Sequence, residues 1–282
     1  MRNSPADELF IFQYKWEQLL WGGRHTGERV ILWEHGPVPK NLLKLPWARR
    51  VLRRAYREAL TVFAMSEPAR RSVGILAQVD PLLLPAGLDL ADCTKAHASR
   101  NHTRQELDLP ATTPVLGFVG RVTEDKGILD VVTVLRQMPS ATLLVCGEGQ
   151  ALSAAQRLSR EHGLESRVRW LGWRQDVLNI LAAIDVLLLL STSHGEGRPL
   201  VVLESLAVGT PILGLSDSPA LEALGDCPGV YLTDSAHPAA LQAAISTVLS
   251  RSRPVPVGVD WSSSIEHFLE VVGVEQTAAI NP

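Results

Sequence analysis

The sequence predicts an α/β protein built on parallel sheets, and three observations carry that reading. From Val115 onward, short runs of Val, Leu and Ile alternate with longer amphipathic stretches. The runs are apolar throughout rather than at every second residue, as in strands buried on both faces. The chain has 282 residues, 46% of them hydrophobic, enough to bury a sizeable core in one or two domains.

Taken in order, "ELFIFQYKWEQLLWGG" (8–23) carries Phe, Trp and Leu at near-helical spacing and reads as a helix that could cover a sheet edge or equally dock on a second copy or another chain. "RVILWEHGP" (29–37) is a strand ending in a turn, and "WARRVLRRAYREAL" (47–60) is a helix with a basic face. "TVFAMS" and "PLLLPAG" are two further short strands. Between about Asp92 and Thr113 the chain turns polar, as at a domain boundary. Five strand–helix repeats then follow. "VLGFVG" (115–120) precedes "GILDVVTVLRQM", and "TLLVCG" (142–147) precedes "QALSAAQRLSREHG". "RVRWLG" (167–172) precedes "RQDVLNILAAI", "DVLLLLS" (185–191) precedes "PLVVLESLAVG", and "TPILG" (210–214) precedes "PALEALG". The tail predicts a last helix near Trp261–Val272. Such a domain is doubly wound, and its ligands sit outside the carboxyl ends of the strands.

Composition excludes several classes. A formal net charge of −3 argues against a nucleic-acid partner. Cys93, Cys146 and Cys227 are odd in number and far apart, so they suggest neither a disulfide framework nor a metal site and fit a reducing cytoplasm. The first residues carry acids and no clean apolar core, unlike a secretory signal. The longest apolar run, "ILAAIDVLLLLS", is interrupted by Asp185 and is too short for the roughly 20 residues a membrane span needs. A soluble cytoplasmic protein is expected, with peripheral contact at the inner membrane face left open.

Two strand-end motifs carry chemistry. In "SHGEGRPLVVLES" (193–205), Gly195 and Gly197 allow a ligand close to the backbone, and Pro199 suits a first helical turn. Helix N–H groups there would attract a diphosphate, so Glu196 and Glu204 are better placed to accept hydrogen bonds from hydroxyls at its flanks. A diphosphate with a polyol at each end is a nucleotide-sugar. The alternative is a surface turn with Glu204 solvated. In "GFVGRVTEDKGILDVV", Arg121 and Lys126 flank the turn after a strand ending at Gly120. Two such cations can hold a diphosphate without a divalent metal, although Lys126 could equally pair with Glu124 or Asp125. No P-loop, complete dinucleotide fingerprint, D-x-D pair or hydrolase elbow is present.

Together these residues resemble the retaining glycosyltransferases of the GT-B fold, in the large family often numbered four. The matching features are "GR....KG" (120–127), "CGEG" (146–149), "LGW" (171–173) and the E-x7-E element Glu196–Glu204. "EHGP" (34–37), "MSEPARR" (65–71) and "LPAGLD" (84–89) also look like that family's N-terminal domain. The resemblance implies two Rossmann-like domains: a partial acceptor-side domain over 1–105, a nucleotide-sugar domain over 106–255, and a helix and tail over 256–282 that could pack back on the first. It implies that Gly120, Arg121 and Lys126 hold the donor diphosphate and that Glu196 binds the transferred sugar. Gly197, Arg198 and Leu200 would face sugar or phosphate with backbone N–H groups, and Pro199, which has none, would shape the turn between them. Glu204 would bind the ribose diol, and Gly172, Trp173 and Arg174 would line the base. His35 either ends its strand or faces the donor sugar across the cleft.

The implied activity is hexosyl transfer from a UDP- or GDP-sugar to a glycan, lipid-linked or small-molecule hydroxyl, with no cofactor or metal. Two residues depart from the pattern: Ala86 stands where Asn is usual, and Arg198 replaces an apolar residue. The family's opening strand and glycine-rich loop are also not matched, so an N-terminal domain of about three strands is expected, with an edge open to self-association. A non-catalytic module that binds a nucleotide-sugar or a partner chain is the alternative reading.

Overall fold

A computed structural model describes residues 9–24, 29–84, 86–110, 112–191, 200–218, 221, 224, 227–258 and 260, which divide into two units meeting at Gly87 and Leu88. The first unit is a four-stranded sheet, β1 (Leu9–Phe12), β2 (Arg29–Glu34), β3 (Thr61–Ala64) and β4 (Leu82–Leu83), all parallel and in that order. Its helices are α1 (Lys15–Trp21), α2 (Lys40–Leu43), α3 (Pro46–Glu58) and α4 (Glu67–Ala77). Strand alternation sends Val30 and Leu32 to one face, against Leu52 and Ala55 of α3 and Val73 and Leu76 of α4. Ile31 and Phe63 enter a smaller cluster with Leu84. The Ser66 hydroxyl accepts from the Ala69 N–H (3.4 Å), the side-chain cap that starts α4.

The segment 8–23 is not one helix. Leu9–Phe12 pairs with β2, Phe10 opposite Val30 and Phe12 opposite Leu32, and both rings join the core. Glu17 then accepts from the Gln13 and Tyr14 N–H groups (3.0 Å each), turning the chain into α1. Among the described residues the sheet therefore has four strands rather than about three, with β1 at one end of the order. The strand in "PLLLPAG" is only Leu82–Leu83.

The second unit has a six-stranded parallel sheet: β5 (Val115–Val119), β6 (Thr142–Cys146), β7 (Val168–Gly172), β8 (Val186–Leu189), β9 (Ile212–Leu215) and β10 (Val230–Thr233). Their order is β10-β9-β8-β5-β6-β7, the doubly wound arrangement whose direction reverses between β5 and β8. Its helices are α5 (Leu90–Ala98), α6 (Arg100–Glu106), α7 (Ile128–Val134), α8 (Leu152–Glu161), α9 (Val177–Ala183), α10 (Leu200–Ala207) and α11 (Pro238–Leu249). Leu143 and Val145 enter one core with Leu188, while Leu144 and Cys146 enter the other with Leu187 and Leu189. That two-sided burial is why the strands read as continuous apolar runs. β10 and α11 were not anticipated. Most of "PALEALG" and the whole 261–272 segment lie outside the described residues.

The polar stretch 92–113 is largely helical, and its helices belong to the second unit. Arg104 donates to the carbonyls of Ala183 (3.0 Å), Pro110 (2.7 Å) and Thr113 (3.2 Å), and it pairs with Asp185. Arg100 also pairs with Asp185 and donates to the Ile184 carbonyl (2.8 Å), as does Arg253 (2.7 Å). Asp185 in turn accepts from the Val115 N–H (2.8 Å). These guanidiniums cap the carboxyl end of α9, where cations oppose the helix dipole. Burial, then the nearby Arg100 charge, pushes the Arg253 pKa down to about 10. The division by packing thus falls at Gly87/Leu88 rather than 105/106, and a Leu88–Asp260 bridge extends the second unit past residue 255.

Candidate nucleotide-sugar site

The carboxyl ends of β5, β6 and β7 are joined by a run of main-chain hydrogen bonds. The Gly120 N–H donates to the Cys146 carbonyl (2.9 Å), and the Val122 N–H donates to Glu148 (2.8 Å). The Gly147 N–H reaches the Gly172 carbonyl (2.7 Å), and the Ala151 N–H returns to Val122 (3.0 Å). Glycine is required where these loops touch. A Cβ on Gly147 would stand 1.9 Å from the Gly120 carbonyl oxygen, and one on Gly149 would stand 2.3 Å from that of Val122. Gly120 differs: at φ +138° a Cβ would meet nothing within 4 Å among the described residues, so this glycine leaves space beside the loop there.

Arg121 and Lys126 stand on that loop, Lys126 closing a 3₁₀ turn over Glu124–Lys126. Gly127, at φ +74°, caps α7, and a Cβ there would sit 2.6 Å from the Leu190 Cβ. This close fit fastens the β5 loop to the end of β8, across the point where strand order reverses. The structure therefore brings Gly120, Arg121, Lys126 and Gly172 to neighbouring strand ends.

Beyond Gly172, Trp173 is 67% exposed. Arg174 makes a two-pronged bond to Asp176 (2.7 Å for each contact), and that bond holds the Asp176 carboxyl below its ordinary range. Leu200 opens α10 and is half exposed. Glu204 lies one turn on and is partly buried; desolvation raises its carboxyl pKa. Among the described residues no ion pair reaches it. Glu196, Gly197, Arg198 and Pro199 lie outside the described residues.

His35 belongs to the first unit. It follows β2, exposed, with its ring stacked parallel to Trp33 at 6.4 Å between centroids. Partial burial lowers its pKa; the Glu34 charge opposes that shift and the Lys15 charge adds to it. On the opposite face of β2, Glu34 is 1% exposed, and its carboxylate is paired with Lys15. It also accepts from Gln18 (2.7 Å) and the Tyr56 hydroxyl (3.1 Å). Sequence reading missed this cluster. It also gave no structural task to Gly147 and Gly149, although their clustering in "CGEG" was a usable signal.

The Glycosyl transferases group 1 family matches residues 99–256. A lipopolysaccharide core biosynthesis glycosyltransferase, LpsE of Rhizobium meliloti, is 36% identical over 39% of this chain and 32% of its own length. A GDP-mannose-dependent monoacylated alpha-(1-6)-phosphatidylinositol monomannoside mannosyltransferase of Corynebacterium glutamicum is 28% identical over 68% of this chain and 53% of its own. The chain thus spans about half or less of these curated relatives. The crystal structure of Anabaena HepE with UDP and glucose superposes at a TM-score of 0.74 and 19% identity, covering 95% of this chain and 78% of that one.

The two parallel sheets and the glycine-built strand ends define a GT-B fold. The chain belongs to the group 1 glycosyl transferase family.

Proposed function

We infer that the chain transfers a sugar from a UDP- or GDP-linked donor to a hydroxyl acceptor, with retention at the anomeric carbon and without a metal ion. The observation that carries this reading is the main-chain frame at the ends of β5, β6 and β7, with Arg121 and Lys126 on the loop beside its open side. The two cations are assigned to the donor diphosphate, whose leaving charge they stabilise electrostatically. Glu204 is assigned to the ribose diol. Its raised pKa marks a desolvated carboxylate that two hydroxyl donors would favour in the charged form. Glu196 and His35 are assigned to the transferred sugar, and Gly172, Trp173 and Arg174 to the base. A relative named for GDP-mannose, and a structural neighbour whose crystal structure contains UDP, support the donor class. A glycan, lipid-linked or small-molecule acceptor, with peripheral contact at the inner membrane face, completes the reading.

The test is donor binding by titration calorimetry with UDP, GDP and their sugars. A charge-assisted contact contributes about 1.5–3 kcal/mol, so Arg121→Ala and Lys126→Ala should each weaken donor binding roughly tenfold or more. Near-normal affinity in both would sink the assignment. Transfer should also survive EDTA, because the loop supplies cations where other transferases use a bound metal. Activity lost to the chelator and restored by magnesium or manganese would contradict the role of Arg121 and Lys126.

A further inference from the structure

A cavity of about 300 Å³ lies at the pole of the second unit opposite Gly120, where β5, β8 and β9 begin. Pro114, Asp185 and Pro211, each standing just before one of these strands, line it. Arg100, Arg104, Arg251 and Arg253 line it too, and Asp185 is the one carboxylate among the lining residues. Capping α9 accounts for part of this charge. Arg100, Arg104 and Arg253 donate to the carbonyls of Ala182, Ala183 and Ile184. A helix end carries only about half a negative charge, however, and α11 adds a similar one where it ends in the cavity wall at Val248 and Leu249. With Asp185 ionised, about two positive charges are left over among the described residues.

Hydrogen-bond donors are left over as well. Arg253 Nε and Thr113 Oγ1 are buried without a partner, and both residues line the cavity. Arg251 is exposed and lays its guanidinium over the Tyr231 ring, 5.2 Å from the centroid. Stacking of that kind leaves the in-plane N–H groups for a ligand. The crowding of like charges is felt at Arg253, whose pKa is lowered by burial and then by Arg100. A monocarboxylate would match only half of the surplus charge, and a nucleic-acid backbone spreads its charges too widely for one cavity. A phosphate dianion matches it, and planar guanidiniums bind phosphate oxygens in pairs.

We propose that this cavity binds a phosphate dianion, free or as the end group of a small phosphomonoester, between Arg251, Arg253 and the rim residue Asn101. The site is at the other end of the sheet from the assigned donor site and does not rest on the glycosyl-transfer reading.

The experiment is thermal unfolding and titration calorimetry of the full chain at about pH 8, where phosphate is mainly a dianion. The probes are inorganic phosphate and glycerol 3-phosphate, against sodium chloride at equal ionic strength. Both phosphates should raise the unfolding midpoint beyond the chloride control, with saturable heat. Tighter binding of one over the other tells the free anion from the ester. Asn101→Glu places a carboxylate on the exposed rim, in the first turn of α6 where an acid suits the helix. It should weaken phosphate binding at least about tenfold, and Arg251→Gln about fivefold. The double change Arg121→Ala/Lys126→Ala, at the other pole, should leave phosphate binding unchanged. No stabilisation beyond chloride, or an affinity indifferent to both Asn101→Glu and Arg251→Gln, would overturn the proposal. So would phosphate binding lost with Arg121 and Lys126, which would place the anion at the donor site. UDP titration of the same sample bears on glycosyl transfer alone: failure to bind UDP would sink that reading and leave this site standing.

Discussion

Lys15→Ala is expected to cost the fold about 3–5 kcal/mol, because it leaves a buried carboxylate without its counter-charge. Glu34 is 1% exposed, and the partners left to it, Gln18 and Tyr56, are neutral. Glu34→Gln should cost less, since the Lys15 side chain is 21% exposed and can turn its ammonium toward water. Combining Lys15→Met with Glu34→Gln should recover part of the loss, as removal of both members of a buried ion pair often does. Urea denaturation of the three variants checks this ordering. A Lys15→Ala protein within about 1 kcal/mol of the parent would show that Glu34 is either neutral or hydrated.

Gly147→Ala is expected to damage both stability and donor binding. The new Cβ would lie 1.9 Å from a backbone oxygen that cannot move without displacing Gly120, and φ is +136°. Positive φ costs about 1–3 kcal/mol and forced overpacking a similar amount, so a loss of about 2–6 kcal/mol should appear. UDP or GDP affinity should fall at least about tenfold as the loop carrying Arg121 shifts. Gly163→Ala is the control. Its φ is +65° with nothing within 4 Å of the added carbon, so it should lose only about 1–2 kcal/mol and keep full nucleotide affinity. Equal losses in the two variants would mean that the contact with Gly120 yields freely.

The core of the second unit was legible because alternate residues of β6 and β8 feed opposite cores, which leaves an uninterrupted apolar signal in each strand. β1 was not. "LFIF" followed by "KWEQLLW" fits an aromatic strand or a helix, and pairing with β2 decides between them. Helices α5 and α6 hid behind a polar surface. Helix α5 is attached by Cys93 and Ala96, buried in the core, and α6 by Arg100 and Arg104 reaching Asp185, which lies 85 and 81 positions away. The loop glycines and its two cations were visible as a pattern, whereas the fit of Gly147 against Gly120 is visible only in three dimensions. The burial of Glu34 was equally hidden: Lys15, Gln18 and Tyr56 lie 19, 16 and 22 residues from it, at spacings no local rule connects.

The main-chain construction of the strand ends bears on how such a protein diversifies. The described contacts between these loops include carbonyls, amides and missing side chains, so main chain and glycine carry much of the frame. On the proposed reading, exchange of Trp173, assigned to the base, would alter donor preference while the main-chain contacts between the loops remain. The glycines have no such latitude. Selection for a new sugar or base can act on the projecting side chains one at a time, each change leaving a folded intermediate on which the next can act.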